Sequence, residues 1–226
     1  MCFSATASFS SGAVLTVIGF ASLNKTIKPS QRLFAVIPLL FAVQQFAEGF
    51  LWIALSNPNH VQMAKISTTA FIVIAQIIWP FWVPLSILQL ENKRIAKVSL
   101  TFFTVIGFAV SLYLAWCLIV YGAKAEIAGY HISYLQTYPD IFNGFGGYFY
   151  VLVTVFPPFI SLYKKMWVLG LAILISYLVT KMYYGNYLIS VWCFFAAAIS
   201  SIVYFILKDI KDKSIHFHSG AVNDLL

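Results

Sequence analysis

Glu48 is the residue of this chain whose type and setting most directly suggest chemistry. It is a carboxylate in the middle of a long apolar run, in the stretch Gln44-Gln45-Phe46-Ala47-Glu48-Gly49-Phe50-Leu51-Trp52. Carrying such a group into a bilayer costs roughly 2.5 kcal/mol or more, so it is usually paired, protonated or functional. Gln44, Glu48 and Trp52 recur at four-residue spacing and share one helix face, with Gln45 beside them. A carboxylate on a polar stripe of that kind suits proton transfer or ligation of a cation. The competing explanation is an ion pair with Lys181, the one basic residue well inside another apolar run.

Thiols come next. Cys2 stands just ahead of an expected helix start with Ser4 as its cap, and Ser4, Ser8 and Ser11 continue on one face. A thiol ahead of a helix N-terminus gains thiolate character, the form that attacks electrophiles and binds metal. Cys193 lies in Ser190-Val191-Trp192-Cys193-Phe194-Phe195-Ala196-Ala197, and Ser190, Cys193, Ala197 and Ser200 share a face of small and polar residues. Cys117 reads as a small buried hydrophobe. Two thiolates, Glu48 and the loop residue His131 form a donor set suited to zinc or another transition metal. Close-spaced ligand pairs such as Cys-x-x-Cys are absent, so this set rests on topology and not on a motif. A Cys2–Cys193 disulfide is the alternative, because the outer compartment is oxidising.

The elements that must position these groups are membrane spans. Of 226 residues, 61% are hydrophobic and only 9% charged, far from the balance of a soluble domain. About 20 apolar residues make a span, and seven such runs occur, near 6–25, 33–56, 66–90, 96–121, 144–163, 166–184 and 187–208. The first starts almost at Met1 without a basic leader, and is expected to be a span and not a cleavable signal. The expected fold is therefore all-α, a seven-helix transmembrane domain over 1–213 with a flexible cytoplasmic tail over 214–226. No internal repeat is visible.

Charge orients the bundle. Lys25, Lys28 and Arg32, then Lys93, Arg94 and Lys97, then Lys164 and Lys165, then Lys208, Lys211 and Lys213 occupy every second connection. Basic loops are retained in the cytoplasm, which predicts the N-terminus outside and the C-terminus inside, in a plasma (inner) membrane. The net charge of +7 is then orientation chemistry, and nucleic acid is not an expected partner. On this topology Glu48 lies about 12 Å, and Cys193 about 9 Å, below the outer surface at 1.5 Å per residue. Cys2, Glu48 and Cys193 thus converge on the outer end.

Pro80 and Pro84 should bend the third span near Gln76 and Trp79. The long outer connection from Gly122 to Asn143 carries Tyr130, Tyr134 and Tyr138. Interfacial anchoring is the expected role of these tyrosines, with a lid over the outer mouth as the alternative. His60 reads as a solvated loop residue, and His216 and His218 as tail residues.

The start Met1-Cys2-Phe3-Ser4-Ala5 through Phe9, the Gln45-x-x-Glu48 core and the Ser190–Ala197 block together resemble an uncharacterised bacterial family of small multi-pass membrane proteins. That resemblance places Cys2, Glu48 and Cys193 inside the family's motif blocks and implies no activity. The resemblance implies a histidine in many relatives at the position of Gln44, so a metal-ligand role is not expected of Gln44. The primary expectation is an outward-facing Cys/Glu site that binds a metal, with membrane-embedded metal-dependent hydrolysis as its chemistry. Its ligand would be a small molecule or lipid headgroup arriving from the outer side. The alternatives are a transporter, channel or receptor using Glu48 as a proton or cation site, and a structural membrane protein.

Overall fold

Ser4 caps the first helix as its position predicts: its Oγ accepts the Ala7 amide at 3.2 Å, and α1 runs Ala5–Leu23. The computed structural model describes residues 4–139, 145–183, 192 and 195–223. α1 buries Ser8, Gly12, Leu15, Gly19 and Ser22, a face of mostly small residues at alternating four- and three-residue spacing. Small side chains let two helix backbones approach closely where lipid gives no hydrophobic drive. The next long helix exploits this, with the Phe46 ring seated on Gly12 and the Phe9 ring on Gly49.

Proline and chain breaks divide the following apolar runs. Pro29–Gln31 is a single 3-10 turn that leads into α2 (Arg32–Ala35) and then α3 (Ile37–Leu55), with the break at Val36 just ahead of Pro38. The third run comprises α4 (Val61–Ile72), a π-helical segment at Val73–Ile78, and α5 (Trp79–Leu90). The expected distortion near Gln76 and Trp79 is thus a widened turn ahead of Pro80. α6 spans Arg94–Tyr121 without interruption. After the long connection that follows α6 come α7 (Phe145–Val155), α8 (Pro157–Ile160), α9 (Met166–Tyr183) and α10 (Ala196–Asn223).

Five described stretches are long and apolar enough to cross a membrane: Ala5–Leu23, Pro29–Leu55, Pro58–Leu90, Arg94–Tyr121 and Met166–Tyr183. The run expected at 144–163 is instead broken at Phe156, where Pro157 and Pro158 start a new short helix. The run expected at 187–208 falls partly outside the described residues. α10 carries helical backbone to Asn223, beyond Lys208 and across the expected 213/214 boundary.

The all-α expectation needs one correction. Within the long connection after α6, β1 (Ala123–Ala128) pairs antiparallel with β2 (His131–Gln136), from Ala123 opposite Gln136 to Ala128 opposite His131. Gly129 turns the hairpin with φ +63°, and Tyr130 follows without a positive φ, the type II′ pattern. Ala-Lys-Ala-Glu-Ile-Ala carries little β-branched or aromatic character, so its strand is invisible to propensity.

The basic loops meet at one end. Lys211 Nζ donates to the Asn24 carbonyl at 3.4 Å, and Asp209 pairs with Lys165 at 2.7 Å and Lys213 at 2.8 Å. Those two ammonium groups hold the Asp209 carboxyl below the usual range. Asn92 Nδ2 donates to Tyr163 Oη at 3.3 Å, joining the loop after α5 to the loop before α9. The strongest tie at this end is one that sequence reading overlooked. Glu91, only 3% exposed, accepts from the Leu162 amide at 2.9 Å, Ser161 Oγ at 3.1 Å and the Asn92 amide at 3.0 Å. Burial alone would raise its pKa, but these donors outweigh that and hold it below 4.5.

Candidate functional site

α3 sets the centre of the half of the bundle away from the basic loops. Gln44, Gln45 and Glu48 are fully buried, and Trp52 follows one turn above Glu48. The α1–α3 register, with Phe9 on Gly49 and Gly12 against Phe46, puts Ser8 within about a turn of Glu48 along the axis. Ser8 Oγ and Trp52 Nε1 are both buried and have no hydrogen-bond partner among the described residues. Such groups are rare in interiors and each calls for an explanation, a bound ion or water among them.

Lys181 does not supply the counter-charge. It is exposed, with its ammonium 5.8 Å from the Tyr148 ring and 5.7 Å from the Tyr177 ring. Among the described residues the ion pairs are the two to Asp209, so the alternative Glu48–Lys181 pair is not made. The reason is reach: aromatic faces beside Lys181 attract a cation that points out of the bundle.

A second feature lies beside this stripe. Gln44 turns toward α5 and accepts from Trp79 Nε1 at 3.2 Å, while Phe41 packs on the Trp79 ring at 4.3 Å. Gln44 and Trp79 form part of the wall of a cavity of about 400 Å³ enclosed by α2, α3, α5, α6, α7, α9 and α10. Glu48 is not among its lining residues. The π segment contributes Ala75 and Gln76 to the wall. A five-residue register would assign the Ala75 carbonyl to the amide of Pro80, which has none, and the hydroxyl of Tyr150 donates to it instead.

The hairpin roofs both features. Ile132 is fully buried and packs with Leu51 and Trp52 above Glu48. Tyr134 stacks on Phe71 of α4 with centroids 4.5 Å apart and planes 5° from parallel. Tyr138, just past β2, reaches Gln136 at 2.6 Å and Gln76 at 3.2 Å and lines the cavity. These tyrosines seal the bundle, where interfacial anchoring was expected. Tyr134→Ala should free the hairpin without unfolding the helices. Chymotryptic cleavage at Tyr130 should quicken roughly tenfold, as loss of a stacked pair of about 1.5 kcal/mol implies. An unchanged cleavage rate would mean that the hairpin is held by something else.

Of the expected ligand set, Glu48 and His131 fall among the described residues. His131 sits at the turn end of the hairpin, next to Ile132 over Trp52, and burial pushes its imidazole pKa down, favouring the neutral form that ligates metal. Cys2 and Cys193 lie outside the described residues. Among the described residues no group of three or more His, Cys, Asp or Glu side chains is placed to hold a metal ion. Cys117 is a free, buried thiol, as its apolar setting predicts. The cavity itself escaped sequence reading. Its polar members Gln44, Gln76, Tyr138 and Tyr150 come from separate elements, and although the α3 stripe and the bend at Gln76 are legible in sequence, their convergence is not.

No curated protein and no solved structure matches the chain significantly. A family model does match, over residues 1–216, and the chain accordingly belongs to DUF6629, a family of unknown function.

Proposed function

We propose that the protein is a seven-span integral protein of a bacterial plasma (inner) membrane, N-terminus outside, with a cation site around Glu48 in its outer half. The alternating basic loops and their convergence at one end support this orientation. The observation that carries the site is the fully buried carboxylate flanked by two buried polar groups, Ser8 Oγ and Trp52 Nε1, that lack described partners. Cys2, Cys193 and His131 complete the proposed ligand set, with Glu48 as ligand or general base. Thiolate, imidazole and carboxylate donors favour zinc or a similar transition metal. A metal there would acidify a bound water for hydrolysis of a small molecule or lipid headgroup reaching the site from outside.

Metal content of detergent-purified protein tests this. Near-stoichiometric metal is expected in the parent, lost in Glu48→Gln and in Cys2→Ser, and lowered in His131→Ala. Metal-free protein, with a Cys2–Cys193 disulfide on peptide mapping, would sink the metal site. Glu48 would then be read as the proton or cation site of a transporter or receptor, a role that the π segment and Pro84 favour by making the third run deformable.

A further inference from the structure

The cavity behind Gln44 is independent of the Glu48 site, and its lining specifies a ligand of its own. Polarity is graded along it. At the inner end, toward the basic loops, Ile37, Val83, Ile87 and Val203 present only hydrocarbon. At the outer end, under the hairpin, Gln44, Gln76, Tyr138 and Tyr150 converge. No Asp, Glu, Lys, Arg or His lines it among the described residues, so nothing there would neutralise a charged head. A volume of about 400 Å³ falls within the range of small-molecule pockets.

Gln76 sharpens the assignment. It is 7% exposed and lines the cavity, and its one described hydrogen-bond partner is Tyr138. The Tyr138 hydroxyl has a single proton, and Gln136 Oε1 is its nearer acceptor at 2.6 Å. Whichever way the Gln76 amide is turned, one polar end meets Tyr138 and the other, on the cavity wall, has no described partner. A hydroxyl satisfies either orientation, since it both donates and accepts. We propose that this cavity binds a neutral, hydroxyl-headed lipid, with its head on Gln76 beneath the hairpin and its apolar body running inward past Val83 and Val203.

Native mass spectrometry of the detergent-solubilised full chain, titrated separately with farnesol, farnesene and palmitate, tests the proposal. Farnesol should bind, farnesene should bind roughly tenfold more weakly for want of one buried hydrogen bond, and palmitate should not compete. In Gln76→Leu, a nearly isosteric change, farnesol should fall to the affinity of farnesene while farnesene is unchanged. Val203→Trp, which fills the inner end, should abolish both. Should that variant fail to fold, extraction of lipid from the parent protein decides, with a neutral alcohol or monoglyceride expected. Equal affinity for farnesol and farnesene in the parent, palmitate binding as tightly as farnesol, or an unaltered farnesol preference in Gln76→Leu would each overturn it. So would a parent protein that binds no farnesol and yields no neutral lipid.

Discussion

Gly107→Ala should lower the thermal stability of the solubilised protein by about 2 kcal/mol or more, and Gly107→Leu should prevent accumulation of folded protein altogether. A Cβ at Gly107 would lie 2.0 Å from the Pro80 carbonyl oxygen and 2.8 Å from its carbon, both backbone atoms that cannot swing aside. The cause is chemical. In α5 the carbonyl of Pro80 would ordinarily receive the amide of residue 84, but that residue is proline and has no N–H. The freed carbonyl occupies the space that a side chain on α6 would need, and only glycine leaves it open. The sign is the informative part, because glycine to alanine in an ordinary helix interior stabilises by up to about 1 kcal/mol. A rise in melting temperature for Gly107→Ala would show that α5 and α6 do not approach this closely.

Glu91→Ala should cost about 2 kcal/mol, because it leaves the Leu162 amide and Ser161 hydroxyl without their acceptor and removes charge-assisted bonds. Glu91→Gln, which keeps one oxygen but not the charge, should fall between alanine and the parent. A pH dependence follows. The folded carboxyl titrates below 4.5, so its contribution is fully present above the unfolded value and is lost as pH falls through the folded value. Melting temperature of the parent should therefore drop on acidification below about pH 4.5, and Glu91→Gln should show a flatter profile over the same window. Parallel profiles for the two proteins would remove Glu91 as the origin of acid sensitivity.

The long elements were legible because they are written in composition and punctuation. Unbroken apolar runs of span length, the Ser4 cap, and the prolines at 38, 80, 84, 157 and 158 mark most helix limits and interruptions without reference to any distant residue. The basic clusters likewise predicted which connections share an end, and Lys211 on Asn24 and Lys165 on Asp209 join two such pairs of connections. Glu48 could be singled out because a carboxylate in an apolar run is conspicuous whatever surrounds it. Glu91 could not, since at a loop it resembles any solvated acid until the 161–162 segment folds over it.

What the sequence determined by itself is the local part: where helices form, where they bend, and that a buried polar stripe faces inward on α3. Tertiary structure alone decided what each polar group meets. It turned Lys181 out to Tyr148 and Tyr177, folded a weakly β-prone loop into a hairpin over Trp52 and Phe71, and drew Gln44, Gln76 and Tyr150 around one cavity. The physical reason is range. Capping, proline effects and hydrophobic periodicity act within a few residues, whereas a cavity wall and a partner for a buried amide are set by helix approach distances, which depend on residues far apart in the chain.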